Sequence, residues 1–124
     1  MRLLLDTHTL LWWLADEHLA PEASARIADP LNEVAVSAAS AWEISIKKAL
    51  GKLAAPDDLE QQIFASDFTP LPIGIGHALA AGQLPRHHED PFDRMLIAQA
   101  QTEHMTVVTR DKRFAEYDVA ILPA

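Results

Sequence analysis

The rest of this 124-residue chain is organised around the stretch Asp90-Pro91-Phe92-Asp93-Arg94-Met95-Leu96-Ile97-Ala98-Gln99-Ala100. The stretch has the pattern of a helix start, because Asp90 is a good N-cap residue and Pro91 suits the first helical position. Apolar residues then recur at helical spacing, which predicts one buried face. Asp93 falls in the first turn, where the helix dipole favours an anion. Taken alone, the stretch also fits a well-capped core helix, since helix starts favour acidic residues in any case.

Composition predicts a folded domain in a reducing compartment. The chain is 49% hydrophobic and 23% charged, and it has no cysteine, which excludes disulfides and thiolate metal sites. The N-terminal segment is interrupted by charge too early for a signal peptide, and no apolar run approaches membrane-spanning length. We therefore expect one domain over residues 1–124, located in the cytoplasm and not in a membrane.

The net charge argues against binding to nucleic acid, whereas the distribution of the basic residues is compatible with it. A formal net charge of −8 argues against non-specific binding to nucleic acid. Eight of the ten basic residues nevertheless lie close to acidic motifs, in three groups: Lys47, Lys48 and Lys52; Arg86 and Arg94; Arg110, Lys112 and Arg113. These groups fit either solvated helix ends or contacts to the phosphates of a polyanion.

Strand-like and helix-like segments alternate along the chain. Short apolar runs predict strands at residues 2–5, 33–36, 69–73, 106–109 and 119–122, and the two prolines of the third run confine it to a sheet edge. Helical patterns fall at residues 7–15, 21–28, 37–50, 56–66, 77–83, 91–104 and 112–117. Because the connections are too long for hairpins, we predict an α/β sandwich with a mainly parallel sheet.

Four acids fall at the ends of these elements. Asp6 directly follows the first strand, and Asp111 lies just beyond the fourth. Glu43 is predicted in the first turn of the helix after the second strand, and Asp93 opens the helix that precedes the fourth strand. Ligands of an open parallel sheet bind beyond the carboxyl ends of its strands, so we expect these carboxylates to converge there. Each acid alone also fits a cap; Glu43 follows Ser40 at capping-box spacing.

A cation is expected among these acids, because clustered carboxylates repel one another. No His or Cys stands at ligand spacing, so oxygen-only ligation favours Mg²⁺ or Mn²⁺ over Zn²⁺. Such an ion lowers the pKa of a bound water and neutralises charge that develops on a phosphate. The pattern therefore predicts a metal-dependent phosphodiesterase. His87 and His88, next to the motif, are expected in a solvated loop.

Four segments of the chain resemble the PIN-domain ribonucleases, and among them the VapC-type toxins of bacterial toxin–antitoxin pairs. The segments are Leu4-Leu5-Asp6-Thr7-His8, Ser37-Ala38-Ala39-Ser40-Ala41-Trp42-Glu43-Ile44, Asp90-Pro91-Phe92-Asp93-Arg94-Met95-Leu96-Ile97-Ala98 and Val108-Thr109-Arg110-Asp111. They occur in the family's order and span nearly the whole chain. The resemblance implies a single PIN domain over residues 1–124, with an α/β/α sandwich around a central, mainly parallel sheet of four to five strands.

The resemblance also implies a site, an activity and partners. The implied ligands of Mg²⁺ or Mn²⁺, which are also the catalytic residues, are Asp6, Glu43, Asp93 and Asp111. The secondary candidates are Asp90, Thr7, Thr109 and Arg94. The implied activity is endonucleolytic hydrolysis of RNA, in which metal activation rather than a histidine base carries the chemistry. The implied partners are an RNA substrate, a cognate VapB-like antitoxin and a second copy of the chain in a homodimer.

Two alternatives from other classes stay open. A phosphotransfer enzyme of the haloacid-dehalogenase type also carries an aspartate after an apolar strand, but its second aspartate would stand where this chain has His8. A non-catalytic protein-binding module would use the acids as caps and dock a partner on the first helix. That helix carries Leu10, Trp12 and Trp13 and is too apolar for an exposed surface, so we expect a partner or a second subunit to cover part of it. The competing explanation is that all three residues lie in the core of the chain itself.

Overall fold

Five strands form the centre of the structure, a computed structural model that describes residues 1–124. The strands are β1 (Arg2–Leu5), β2 (Glu33–Ser37), β3 (Thr69–Leu71), β4 (Thr106–Thr109) and β5 (Ile121–Pro123). They form one sheet in the order β3-β2-β1-β4-β5, and every neighbouring pair is parallel. Strand β1 is central and has three fully buried leucines, whereas β3 is an edge strand, as its prolines predict.

Helices connect the strands, because parallel neighbours need crossover connections. The helices are α1 (Thr7–Leu14), α2 (Pro21–Ala28), α3 (Ala38–Ala49), α4 (Leu59–Ala65), α5 (Ile75–Gln83) and α6 (Pro91–Glu103), with a 3₁₀-helix at Lys112–Glu116. Helix α6 is the helix predicted from the opening stretch. None of these helices combines the length and the apolar character needed to cross a membrane.

Alternate residues of β1 pack into two separate hydrophobic cores. Leu3 and Leu5 lie in one core with residues of α1, α2 and α4, whereas Leu4 lies in the other with residues of α6 and the 3₁₀-helix. Successive side chains of a strand point to opposite faces of the sheet, so helices cover both faces. The predicted α/β/α sandwich is confirmed, with five strands and an entirely parallel sheet.

The start of α3 differs from the prediction. Strand β2 continues to Ser37, which then serves as the N-cap of α3: its Oγ accepts a hydrogen bond from the Ala39 N–H at 3.0 Å. Glu43 therefore lies in the second turn of α3, so the predicted first-turn position is wrong, and the alternative role of Glu43 in a capping box with Ser40 does not apply. Ser37 takes the cap because its backbone is still extended at the strand end, which is the N-cap conformation.

Candidate metal centre

The four predicted acids line one cavity of about 360 Å³ at the carboxyl edge of the sheet. We call this cavity the acidic cleft; its five carboxylate-bearing residues are Asp6, Glu43, Asp90, Asp93 and Asp111. Three of them also cap helices that begin at this edge: Asp6 caps α1, Asp90 caps α6 and Asp111 caps the 3₁₀-helix. These three acids therefore cap helices and line the cleft at the same time.

Asp6 is held by donors from two elements. One carboxylate oxygen, Oδ1, accepts the Thr9 N–H of α1 at 2.9 Å, and the other, Oδ2, accepts the Thr109 hydroxyl at the end of β4 at 2.6 Å. Asp6 is only 6% exposed, so these hydrogen bonds fix the orientation of a buried carboxylate. Thr109, one of the secondary candidates, therefore lies beside the candidate ligand Asp6.

Glu43 is neutralised within the protein. Its Oε1 accepts the Thr7 hydroxyl at 2.6 Å, and its Oε2 pairs with Lys47 Nζ at 2.5 Å, one helical turn further along α3. The hydrogen bond to Glu43 is the main reason that the pKa of Lys47 is raised. A buried carboxylate needs such a partner, because an unpaired buried charge is strongly unfavourable.

Asp111 forms a close ion pair with Arg113. The Arg113 guanidinium donates to Asp111 Oδ1 at 3.1 Å and to Oδ2 at 2.8 Å, and the Arg113 backbone N–H donates to Oδ1 at 2.9 Å. These hydrogen bonds hold the pKa of Asp111 below its usual range. Arg113 also lines the acidic cleft, beside Lys47 and Arg110.

Asp93 contrasts with the other acids because its donor is a histidine. His88 Nε2 lies 2.7 Å from Asp93 Oδ2. Burial raises the pKa of Asp93 to about 6, with a further contribution from the nearby Asp90 charge, and the hydrogen bond to His88 opposes this rise. Without a cation, the Asp93 carboxylate therefore keeps its proton to a higher pH than an ordinary aspartate does.

The structure corrects two expectations about His88. The residue is only 3% exposed, so a solvated position is wrong for it, although His87 is exposed. The expectation that no histidine stands at ligand spacing is also wrong, because His88, Asp93 and Asp111 each offer a ligand atom within 4.8 Å of the others. No periodic pattern marks a single buried histidine in a loop, which is why the sequence did not reveal this position.

Arg94 does not line the acidic cleft. Its guanidinium donates to four backbone carbonyls at 2.9–3.2 Å, those of Ala81, Leu84, Pro85 and His88. Arg94 therefore ties the loop between α5 and α6 to the first turn of α6. In this way it supports the loop that carries His88.

The first helix is partly buried within the chain itself. Leu10 is fully buried in the core of the chain itself, so it is not part of the surface that a partner could cover. Trp12 and Trp13 are half-buried. Trp12 lines the acidic cleft and stacks under the Arg110 guanidinium, 4.0 Å from its ring centroid. The two tryptophans remain as the accessible aromatic surface of α1.

Two larger cavities lie elsewhere, with volumes of about 560 and 610 Å³. The first is mostly apolar and lies between α3, α4 and β3, with Asp57 and Glu60 as its acids. The second lies near the start of β4 and has Asp118 as its acid. Chemistry rather than volume therefore singles out the acidic cleft as the candidate site.

The donors of the acidic cleft fit a hard divalent cation. Carboxylate oxygens are the protein ligands that Mg²⁺ and Mn²⁺ prefer, and five carboxylates face three basic side chains, Lys47, Arg110 and Arg113. A cation would offset the excess of negative charge. An open parallel sheet with such a cleft at its carboxyl edge is the arrangement expected of the class of metal-dependent phosphodiesterases.

Comparison with known proteins identifies the family within this class. The sequence model of the PIN domain matches residues 3–120, so the chain belongs to the PIN-domain family. The resemblance stated from the four motifs is therefore confirmed. Over 121 residues the chain is 28% identical to ribonuclease VapC22 of Mycobacterium tuberculosis, and the match covers 92% of this chain and 90% of that protein.

Solved structures share the fold at lower sequence identity. VapBC2 from Rickettsia felis, bound to a DNA fragment from its promoter, superimposes with a TM-score of 0.74 at 15% identity and covers 98% of both chains. DNA-bound VapBC from Salmonella typhimurium gives a TM-score of 0.71 at 20% identity, with 98% of this chain and 97% of that chain covered. The likeness extends over nearly the whole length of the α/β/α sandwich.

Proposed function

We propose that this chain is an endoribonuclease that depends on Mg²⁺ or Mn²⁺ and acts as the toxin of a toxin–antitoxin pair. The observation that carries the proposal is the convergence of five carboxylates from four parts of the chain on one cleft, with lysine and arginine beside them. Membership of the PIN-domain family and the similarity to ribonuclease VapC22 support a nuclease that hydrolyses RNA.

The candidate ligands of the cation are Asp6, Glu43, Asp93 and Asp111. When bound, Mg²⁺ or Mn²⁺ supplies Lewis-acid activation of water and stabilises the charge that develops on the phosphate. Thr109 orients Asp6, and Thr7 orients Glu43, through the short hydrogen bonds described above. One carboxylate of the cleft orients the attacking water. No histidine base is needed.

The basic residues of the cleft are candidate contacts for the substrate backbone. Lys47 and Arg113 lie in the lining of the cleft and pair with Glu43 and Asp111. Phosphate contacts from lysine and arginine position a nucleic acid without reading its sequence. Together with a bound divalent cation, they would offset the carboxylates of the cleft, so that a chain of formal net charge −8 could accept a polyanion there.

We further propose a VapB-like antitoxin as the partner of this chain. The solved relatives from Rickettsia felis and Salmonella typhimurium are VapBC proteins, and their similarity supports the proposal. The half-buried Trp12 at the margin of the cleft, and Trp13 beside α4, offer aromatic anchors for such a partner. A homodimer, a single PIN domain over residues 1–124 and a cytoplasmic location remain predictions of the sequence.

The proposal is tested with purified protein from which any partner and all metal have been removed. We expect cleavage of a mixed RNA substrate when Mg²⁺ or Mn²⁺ is added, and none in excess chelator. Asp93→Asn should abolish cleavage, whereas the control Glu60→Gln, an exposed acid outside the cleft, should cleave normally. Undiminished cleavage in chelator would overturn the metal mechanism, and a chain that binds a partner but never cleaves would favour the binding module.

A further inference from the structure

His88 is a buried side chain of the acidic cleft region to which the proposed chemistry assigns no role. Its Nε2 atom lies 2.7 Å from Asp93 Oδ2 and 3.7 Å from Asp111 Oδ2. The two acids come from different elements, the first turn of α6 and the segment after β4. His88 therefore lies between two candidate ligands that would otherwise repel each other across the cleft.

The surroundings of the ring indicate which nitrogen carries the proton. The backbone N–H of Asp90 points to Nδ1 at 3.4 Å, which makes Nδ1 the acceptor. In the neutral ring, Nε2 then carries the hydrogen and donates it to Asp93 Oδ2. This direction suits the contact, because an ionised carboxylate only accepts hydrogen bonds.

Contacts from other elements hold His88 in place. Its backbone N–H donates to the Tyr117 hydroxyl at 2.9 Å, and that hydroxyl donates to the Pro85 carbonyl at 2.7 Å. The His88 carbonyl accepts from Arg94 at 3.2 Å, and the imidazole packs edge-on against Phe114 with centroids 6.3 Å apart. A side chain constrained to this degree can in turn fix the orientation of its neighbour.

The basic side chains of the cleft have other partners, and Arg110 donates to the backbone carbonyls of His18 and Ala124. Lys47 pairs with Glu43 and Arg113 pairs with Asp111. The donor that reaches the Asp93 carboxylate is His88. Each predicted ligand thus has its own hydrogen-bond donor from the chain, and for Asp93 that donor is a histidine.

We propose that His88 is a positioning residue of the metal centre, whose Nε2–H holds the Asp93 carboxylate in the orientation that binds the divalent cation. The inference rests on the proposed function in one respect, namely that a divalent cation binds in the acidic cleft. Ligating carboxylates are commonly held by such hydrogen bonds, and loss of the partner typically weakens metal affinity 10–100-fold.

The test measures Mn²⁺ binding in the absence of RNA, by electron paramagnetic resonance, for the full chain and its variants. His88→Leu removes the donor and should weaken Mn²⁺ binding by about 10–100-fold. His88→Gln supplies an amide donor in place of Nε2 and should recover most of that loss. The matched control is His87→Leu, a change at the adjacent exposed histidine, and it should bind Mn²⁺ as the parent does.

Two results would overturn the inference. One is a folded His88→Leu protein that binds Mn²⁺ as tightly as the parent. The other is a folded His88→Gln protein that loses as much Mn²⁺ affinity as His88→Leu. That result would mean that the packing of the His88 side chain matters and its hydrogen bond to Asp93 does not. Cooperative melting of each variant in chelator establishes that it is folded.

A measurement on the parent protein covers the case in which the leucine variant does not fold. Nitrogen chemical shifts of the neutral His88 ring should show a protonated Nε2 and an unprotonated Nδ1, and the opposite tautomer would contradict the inference. Failure of the two proposals is distinguishable. A parent that binds Mn²⁺ but never cleaves RNA would overturn the proposed function alone, whereas a parent that binds no Mn²⁺ would overturn both.

Discussion

At the scale of single residues, Asp90 and Asp93 are three positions apart but make different contacts. Asp90 Oδ1 accepts the backbone N–H groups of Phe92 and Asp93 at 2.9 and 3.0 Å, which is an N-cap interaction. Asp93 instead contacts His88 and faces the cleft. One acid is therefore used by the helix, and the other is available to a cation.

Substitutions should distinguish the roles of Asp90 and Asp93. Asp90→Ala should lower the free energy of unfolding by about 1 kcal/mol because the cap is lost. Asp93→Asn should abolish RNA cleavage, yet leave the stability of the metal-free protein unchanged or raise it, since a buried, mutually repelling charge is removed. Melting in chelator and cleavage in Mg²⁺ are measured for both variants. If Asp93→Asn cleaves normally, or melts well below the parent while Asp90→Ala does not, the roles of the two acids are reversed.

The raised pKa of Asp93 gives a pH dependence of known sign. In the metal-free fold the pKa of Asp93 is about 6, against 3.8 for an ordinary aspartate, so the folded state binds more protons than the unfolded state between these values. The contribution of Asp93 to the free energy of unfolding is therefore fully present at low pH, and it is lost as the pH rises from about 4 to 6.

This dependence is measured as a difference between parent and variant. The stability advantage of Asp93→Asn over the parent, in chelator, should be smallest near pH 4 and should grow to roughly 1–3 kcal/mol above pH 6. Denaturant melts across this range provide the values. An advantage that shrinks as pH rises would contradict a raised pKa for Asp93.

At the scale of elements, the start of α3 is joined to the middle of α6 by a buried polar contact. The Ser37 hydroxyl donates to Gln99 Oε1 at 2.5 Å while accepting the Ala39 N–H, and the Gln99 amide donates to the Pro72 carbonyl at 3.2 Å. Ser37 is 1% exposed and Gln99 is fully buried. The two helices that carry Glu43 and Asp93 are thus connected behind the cleft.

Ser37→Ala should destabilise the fold through both of its hydrogen bonds. The variant loses the N-cap of α3 and leaves Gln99 Oε1 without its donor, which together should cost about 2–3 kcal/mol. Urea unfolding measures the loss. The control is Ser45→Ala on the exposed side of α3, where the hydroxyl bonds only to the Trp42 carbonyl and the expected change is within about 0.5 kcal/mol.

The elements that the sequence predicts well are those with local signals. Helix α6 has an acidic cap, a proline at the first helical position and regular apolar spacing, and it forms where the pattern predicts it. Strand β1 is an apolar run stopped by Asp6, and it is buried at the sheet centre. The predicted start of α3 at residue 37 is one residue early, because β2 extends to Ser37, which then caps the helix.

The convergence of the acids follows from topology, whereas their contacts do not. In a parallel sheet, helices begin at the carboxyl edge, so acidic caps gather there without any further signal. The pairing of His88 with Asp93 and of Thr109 with Asp6 depends on side-chain orientation in the folded chain. The sequence therefore indicates the edge of the sheet at which the candidate site lies, but not the hydrogen bonds within it.

At the scale of the whole molecule, the cation proposed for the acidic cleft would link metal binding to the stability of the fold. The five carboxylates come from four separate parts of the chain, so a bound ion would join those parts only in the folded state. A ligand that binds only the folded state stabilises it in proportion to the logarithm of its concentration over its dissociation constant.

Divalent cations should therefore raise the melting temperature of the parent protein. At a hundredfold excess over the dissociation constant, Mg²⁺ or Mn²⁺ should add about 2.7 kcal/mol to the free energy of unfolding. Asp93→Asn should show a smaller effect, and NaCl at matched ionic strength should not reproduce the effect in the parent. Equal stabilisation by NaCl would mean that the cleft is only screened and binds no ion.

The central position of β1 has a consequence for the newly synthesised chain. Strand β1 pairs with β4, and Thr109 reaches back across 103 positions to hold Asp6. A nascent polypeptide that has not yet exposed β4 and Asp111 outside the ribosome lacks a neighbour of β1 and a wall of the cleft. Contacts between such distant positions also form slowly. The acidic cleft should therefore be completed only after residues 106–111 have left the ribosome, late in the synthesis of this domain.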